Sequence, residues 1–376
     1  MGARYRGTTA TQIANFRFND CRFYTSAKYT ADFKPPARND FRAYNILVNP
    51  DTIYSSRRYT GSNYGIYKVT GHRPDLILIK REDTSDNILV TDSMRGVTKE
   101  LNTNNDTAET TQSGGVTTII DGGFLLGSGN AAYNTGGGDY YWCTTFKAGN
   151  AASANSDGTI SSTVNANVTG AFGIVKWTGT GSNGTIGHGL GRVPSVIWAK
   201  RYDNTGNWIC YHKSRGAEKY MKLNTADTEV DDATAWQDTE PTSDVFSVGT
   251  LADINASGAS MIAYIWCDTP GIVESGEYTG SSGNKTVDTS FPFKYCFFKS
   301  HDSTGQEWVW KNTAAGGDKK TYVPPKRGVA SGGSSNGSGG FTSRPGDPYL
   351  YKKDGNNFIT KKGKDGKEIT VKPGSK

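Results

Sequence analysis

Arg73-Pro74-Asp75-Leu76-Ile77-Leu78-Ile79-Lys80-Arg81 recurs as Arg192-Val193-Pro194-Ser195-Val196-Ile197-Trp198-Ala199-Lys200-Arg201. Pro74 and Pro194 are 120 residues apart, as are Lys80 and Lys200. Each copy is a short apolar run that follows a proline and ends on lysine. The length suits a strand, and proline suits a strand start. Further stations follow in the same order. Arg95-Gly96 returns at Arg215-Gly216, and Leu101-Asn102-Thr103 at Leu223-Asn224-Thr225. Phe124-Leu125-Leu126-Gly127 returns at Phe246-Ser247-Val248-Gly249, and Tyr141-Trp142-Cys143 at Ile265-Trp266-Cys267. Six ordered stations mark an internal duplication, with Trp142 expected to superpose on Trp266.

A third copy begins and breaks off. Glu277-Tyr278-Thr279-Gly280 resembles Lys176-Trp177-Thr178-Gly179, and Phe293–Lys299 resembles the Pro194 strand. Trp308 stands nine residues after Lys299, as Trp208 stands eight after Lys200. No later station follows, so this fragment is expected to pack on or complete the second module.

Every station reads as β, with Asn183-Gly184, Asp121-Gly122 and Asp157-Gly158 as turn signals. The segment 227–236 is either a short helix or a loop. The chain is therefore expected to be all-β: tandem β-sandwich-like modules with extended basic N- and C-terminal arms. Residues 1–65 form the N-terminal arm, 66–150 module 1, 151–169 a linker and 170–312 module 2 with the partial third repeat. A Gly/Ser/Pro linker follows over 313–348. Residues 349–376 read as strand, DG, strand, DG, strand, a small meander that needs a partner surface.

Composition agrees. The 376 residues include 47 glycines, 43 aromatics and 11 leucines. That balance argues against a helical bundle, a coiled coil and a Rossmann-type enzyme. No apolar run reaches membrane-spanning length, and the basic start has no apolar signal core, so no membrane insertion is expected. Five scattered cysteines without a CxxC fit reduced thiols. Charge is segregated: +7 over residues 1–70, −9 over 71–317 and +8 over 318–376. Basic arms suit nucleic acid, an anionic surface or an acidic protein neighbour, and the middle of a second copy supplies that acidity.

Chemistry is sparse. Glu229, Asp231 and Asp232 with Asp227, and Glu82, Asp83, Asp86 and Asp92, lack EF-hand spacing and read first as solvated loop charge. No GxSxG, HExxH or Walker motif occurs. Gly187–Gly191 reads as a tight loop and His212 as a packed histidine. No catalytic residue, metal or cofactor is assigned. The repeated arginines, Arg95 and Arg215, read as ion pairs within each module. Trp142 and Trp266 read as core, while Trp177, Trp198, Trp208, Trp308 and Trp310 are candidates for sugar stacking. Aromatic and basic residues alternate in the N-terminal arm, as in single-strand binders, but the arms differ in composition and nucleic acid is not expected.

The stretch from Arg73 to Gly149 resembles a module of virion structural proteins of tailed bacteriophages, common in tail-fibre-like proteins of marine and cyanobacterial phages. Lys80-Arg81, Asp92-Ser93-Met94-Arg95-Gly96, Lys99, Leu101, Ala108-Glu109, Phe124, Leu126-Gly127 and Trp142-Cys143 carry the likeness. The second copy is similar but has Lys213-Ser214-Arg215-Gly216 without the aspartate. The match covers about residues 66–311. It implies a virion part, assembled in the host cytoplasm, with no catalytic residues. The expected role is tail-associated: a fibre, adaptor or baseplate appendage. A capsid decoration protein and a glycan depolymerase are the alternatives. Expected partners are further copies and other tail proteins, with a host-surface glycan as an additional candidate. Phe16, Phe18, Phe23, Tyr24, Tyr349, Tyr351 and Phe358 are expected to bury the arms on neighbours in a homo-oligomer.

Overall fold

The computed structural model describes residues 52–312, except 83, 150, 168–170, 281, 283–286 and 292–293, and the backbone of four short strands between 342 and 371. The chain divides into two compact units, Met1–Val48 and Asn49–Lys376. The first lies outside the described residues.

Nine strands build the first repeat: β1 (Tyr54–Thr60), β2 (Ile66–Val69), β3 (Leu76–Arg81), β4 (Leu89–Asp92), β5 (Gly96–Asn102), β6 (Thr110–Thr111), β7 (Val116–Ile120), β8 (Gly123–Leu126) and β9 (Tyr140–Phe146). The second opens on β10 (Ser153–Asn155) and β11 (Ser162–Ala166). It continues with β12 (Phe172–Thr178), β13 (Gly184–Gly187), β14 (Val196–Arg201), β15 (Ile209–His212), β16 (Lys219–Lys222) and β17 (Val230–Asp231). Helix α1 (Ala233–Trp236), β18 (Val245–Val248), α2 (Ala252–Asn255) and β19 (Ser260–Trp266) complete it. A hairpin of β20 (Tyr295–Phe298) and β21 (Val309–Asn312) is the third repeat. Strands β22 (Thr342–Ser343), β23 (Leu350–Lys353), β24 (Ile359–Lys362) and β25 (Glu368–Val371) form a separate meander. The fold is all-β, built from antiparallel sheets with two four-residue helices among the described residues.

Duplication appears as identical strand order. One large sheet runs β1-β9-β3-β4-β5-β6; the other runs β12-β19-β14-β15-β16-β17, with β11 and β10 added beside β12. Each repeat adds a small sheet, β2-β8-β7 in the first and β13-β18 in the second. Burial explains the unbroken apolar runs. Leu76 and Leu78 face one core while Ile77 and Ile79 face another. Val196 and Trp198 divide from Ile197 and Ala199 in the same way. A strand covered on both faces needs no polar alternation. The core that holds Leu76, Leu78 and Trp142 also holds Val196, Trp198 and Trp266, so both repeats and the hairpin residues Trp308 and Trp310 share it.

Backbone register corrects two matches. Leu76 faces Phe146 and Lys80 faces Trp142; Val196 faces Trp266 and Lys200 faces Ile262. Trp142 therefore corresponds to Ile262, and Trp266 to Phe146. Likewise Leu101 corresponds to Met221, because Val90 pairs with Leu101 and Cys210 with Met221. Both tryptophans are buried all the same.

Two boundaries and one turn also differ from expectation. Residues 151–169 are not a linker: β10 and β11 join the second large sheet there. The N-terminal arm cannot extend to 65, since β1 is an edge strand of the first large sheet. Asn183-Gly184 does not close a hairpin, because the chain leaves the large sheet there and β13 pairs with β18. Asp121-Gly122 does close one, between β7 and β8, with Gly122 at φ +83°.

Candidate functional site

Arg95 follows β4 and enters the core beside it. Its Nε lies 2.5 Å from Asp92 Oδ2, and Nη2 donates to the Val90 carbonyl at 3.0 Å. Nη1 lies 3.3 Å from Glu109, which also takes Lys99 at 3.3 Å. The Asp92 carboxylate further accepts the Tyr264 hydroxyl of the second repeat at 2.7 Å. Both charged side chains are fully buried. Burial opposes the charge on Arg95, but Asp92, the Tyr264 hydroxyl and Glu109 outweigh it and hold the guanidinium above its ordinary pKa.

Arg215 repeats the plan with different burial. Its Nε and Nη2 grip Glu229 at 2.7 and 2.9 Å, a bidentate pair. Lys219 joins Glu229 at 3.2 Å, as Lys99 joins Glu109. Burial raises the Glu229 pKa, and the bonds from Arg215 and Lys219 bring it below the usual range. Arg95, Lys99 and Glu109 thus recur as Arg215, Lys219 and Glu229, each shifted by 120. His212 stands where the first repeat has Asp92. The glycine after each arginine has positive φ, +117° at Gly96 and +74° at Gly216, where a side chain is disfavoured. The arginines therefore close ion pairs within each repeat, and Glu229 is a structural partner. Asp232 accepts Thr234 N–H and caps α1.

Four further hydrogen bonds join the repeats and recur at the second junction, three on equivalent acceptors and the lysine bond one residue displaced. Glu109 N–H donates to the Tyr202 carbonyl at 2.9 Å, and Glu229 N–H to the His301 carbonyl at 2.9 Å. Gly206 N–H donates to the Asp106 carbonyl at 2.9 Å, and Gly305 N–H to the Ala226 carbonyl at 3.0 Å. Trp208 Nε1 donates to the Asn102 carbonyl at 2.8 Å, and Trp308 Nε1 to the Lys222 carbonyl at 2.9 Å. Lys200 Nζ donates to the Asp106 carbonyl at 3.0 Å, and Lys299 Nζ to the Thr225 carbonyl at 2.7 Å. Asn102 and Lys222 occupy equivalent positions, as do Asp106 and Ala226, and Glu109 and Glu229. A hairpin tip of one repeat therefore seats on the β5–β6 or β16–β17 loop of the preceding one. The position preceding each hairpin adds a side-chain contact: Lys176 Nζ donates to the Met94 carbonyl, and Glu277 pairs with Arg215.

The lysine stations of the second and third repeats are part of this wiring. Lys80, buried one residue before the end of β3, instead donates within its own repeat to the Arg81 and Thr84 carbonyls, both at 2.8 Å. Lys200 also donates to the Gly206 carbonyl. Pro74 and Pro194 stand two residues before β3 and β14. Phe16, Phe18, Phe23, Tyr24, Tyr349 and Phe358 lie outside the described residues; for Tyr351 only the backbone, in β23, is described.

The tryptophans are not sugar-stacking faces: Trp177, Trp198, Trp208, Trp308 and Trp310 are all buried. Aromatic exposure among the described residues falls instead on Tyr64, Tyr67, Tyr140, Tyr278 and Phe298. Burial pushes the Cys143 and Cys267 thiols up to about 12, which keeps them protonated near neutrality. Among the described residues, no three His, Cys, Asp or Glu side chains gather to hold a metal ion, and no helix is long and apolar enough to cross a membrane.

A single family covers all of these parts, from just before β1 to just past β22. The chain belongs to the family described as a domain of unknown function, DUF7483, which matches residues 49–345. No curated protein and no solved structure matches it. The DUF7483 match includes both complete repeats and the hairpin, so the shared core and both joints lie within one family unit.

Within this DUF7483 chain Lys200 makes the joint pH-sensitive. Burial lowers its pKa to about 8, against the opposing pull of Asp106 and Asp253. An unfolded lysine titrates near 10.4. Between these values the unfolded chain binds more protons, so stability from this group rises with pH. Its cost is complete below pH 8 and relieved as pH climbs toward 10.5. Relative to Lys200→Met, the native protein should gain up to about 3 kcal/mol over that range. Urea titrations of both proteins at pH 7.5, 9 and 10.5 read this, and a constant difference would contradict it.

Proposed function

We propose that this protein is a structural component of a tailed-phage virion, tail-associated as a fibre, adaptor or baseplate appendage, serving assembly or host-surface attachment. The observation that carries the reading is the joint used twice. Lys200, Lys299, Trp208 and Trp308 hold repeats together, and the repeated arginines brace the loops on which they seat, as a load-carrying part needs and an active site does not. The likeness of the Arg73–Gly149 stretch to phage virion modules adds support, as do the basic arms flanking an acidic middle. Its partners on this reading are further copies and neighbouring tail proteins, met through the arms.

Copy number in purified particles tests the reading. A few to a few dozen copies per particle would fit a tail part. Hundreds would place the protein on the capsid, and absence from particles would overturn the proposal. Deletion of residues 328–376 should leave soluble, folded repeats yet stop incorporation. Incubation with host polysaccharide should leave chain lengths unchanged; shortened chains would establish an enzyme instead.

A further inference from the structure

Three of the four bonds use equivalent acceptor atoms at the two joints although their donors differ, and the lysine bond falls one residue earlier at the second, on Thr225, the equivalent of Asn105. At the first, the donor tip belongs to a complete sheet, with β14 held between β19 and β15. At the second, the donor is the β20–β21 hairpin, and β20 and β21 pair only with each other among the described residues. The joint is thus independent of what surrounds the tip. It needs a lysine at the end of the first strand, a glycine N–H in the turn and a tryptophan at the start of the second. Lys299, Gly305 and Trp308 supply them. The first repeat has Lys80 but Asp86 and Ile88 at the other two places, and Lys80 serves its own loop.

We infer that the loop from Lys222 to Glu229 is a binding site for this hairpin key, and that it takes the hairpin of a second copy of the chain as well as its own. Three observations support exchange. A two-stranded hairpin has little stability by itself, so its fold depends on a seat. The seat is apolar as well as polar: Phe297 and Trp310 lie 4.8 and 5.5 Å from Trp198, ring centre to ring centre, and Trp308 is buried. Between β19 and β20 the only strand-like pairing among the described residues is the Thr269–Val273 bridge, so among those residues no ladder ties the hairpin to the repeat before it. Trading an identical element between copies makes no new kind of contact and costs little. Donor and acceptor are different surfaces, so exchange links copies either reciprocally in pairs or head to tail. The inference stands on the joint and does not depend on a virion location.

His301 and Glu229 allow a direct test, since their backbones are bonded and His301 Nδ1 lies 3.5 Å from Glu229 Oε2. Two full-length chains with different tags, one His301→Cys and one Glu229→Cys, are unfolded, mixed, refolded together at high concentration and mildly oxidised. A disulfide-linked species carrying both tags is expected, and the unsubstituted pair should give none. Adding Trp308→Ala to the His301→Cys chain should lower its yield about thirtyfold, the loss of one interface anchor. Co-capture of both tags from refolded unsubstituted chains should show the same species without a cross-link. Failure of co-capture and of the mixed disulfide, while a chain with both substitutions cross-links within itself, would overturn the proposal.

Discussion

Replacing Arg95 with methionine should cost about 3–5 kcal/mol, the penalty for stripping one partner from a buried ion pair. Asp92 would keep its two backbone amides and the Tyr264 hydroxyl but lose the only cation that touches it among the described residues. Glu109 would keep Lys99. Arg215→Met should cost only about 1 kcal/mol, because Arg215 and its partner Glu229 are partly exposed and water screens the pair. The two arginines hold equivalent positions, so this contrast isolates burial from sequence. Urea denaturation of both variants checks it; equal losses would mean that the Asp92 environment adds nothing.

Trp198→Ala should cost a similar amount, about 3–5 kcal/mol. This ring sits between the second repeat and the hairpin, within the core that the first repeat shares. It contacts Trp266 at 4.7 Å, Phe297 at 4.8 Å and Trp310 at 5.5 Å between ring centres. Loss of its volume opens a cavity whose walls come from different strands, so no single strand can close it. Thermal unfolding of the full chain should show the drop as one lowered transition. A separate early transition for residues 268–312, with the rest unchanged, would mean that the shared core does not couple the repeats.

Much of this fold was legible because duplication leaves pairs of letters at fixed spacing. Pro74 with Pro194, Lys80 with Lys200 and Phe124 with Phe246 all mark equivalent places in the sheets. The errors have one cause. Residue identity pairs Trp142 with Trp266 and Leu101 with Leu223, four and two residues out of register. Even-numbered slips keep side chains on the same face of a strand, so residue type cannot detect them; only the ladder can. The Arg95–Glu109 and Arg215–Glu229 pairs were half legible. Arginine-glycine stood out, whereas Glu109 and Glu229 sit among other acidic loop residues and look solvated. Lys200 with Trp208 and Lys299 with Trp308 were visible as spacing. Their partners were not, since the acceptors are backbone carbonyls that any residue provides. Nor does periodicity reveal that Leu76 and Val196 share a core, because a strand buried on both faces does not say what covers it.

Amide hydrogen exchange on the full chain tests the repeated joint most directly. The amides of Glu109 and Gly206 report the first junction, and those of Glu229 and Gly305 the second. All four should be protected in the native protein. Trp308→Ala should speed exchange at Glu229 and Gly305 about thirtyfold while Glu109 and Gly206 keep their protection. Free exchange at all four in the native protein, or unchanged protection at Glu229 and Gly305 in the variant, would contradict a joint used twice.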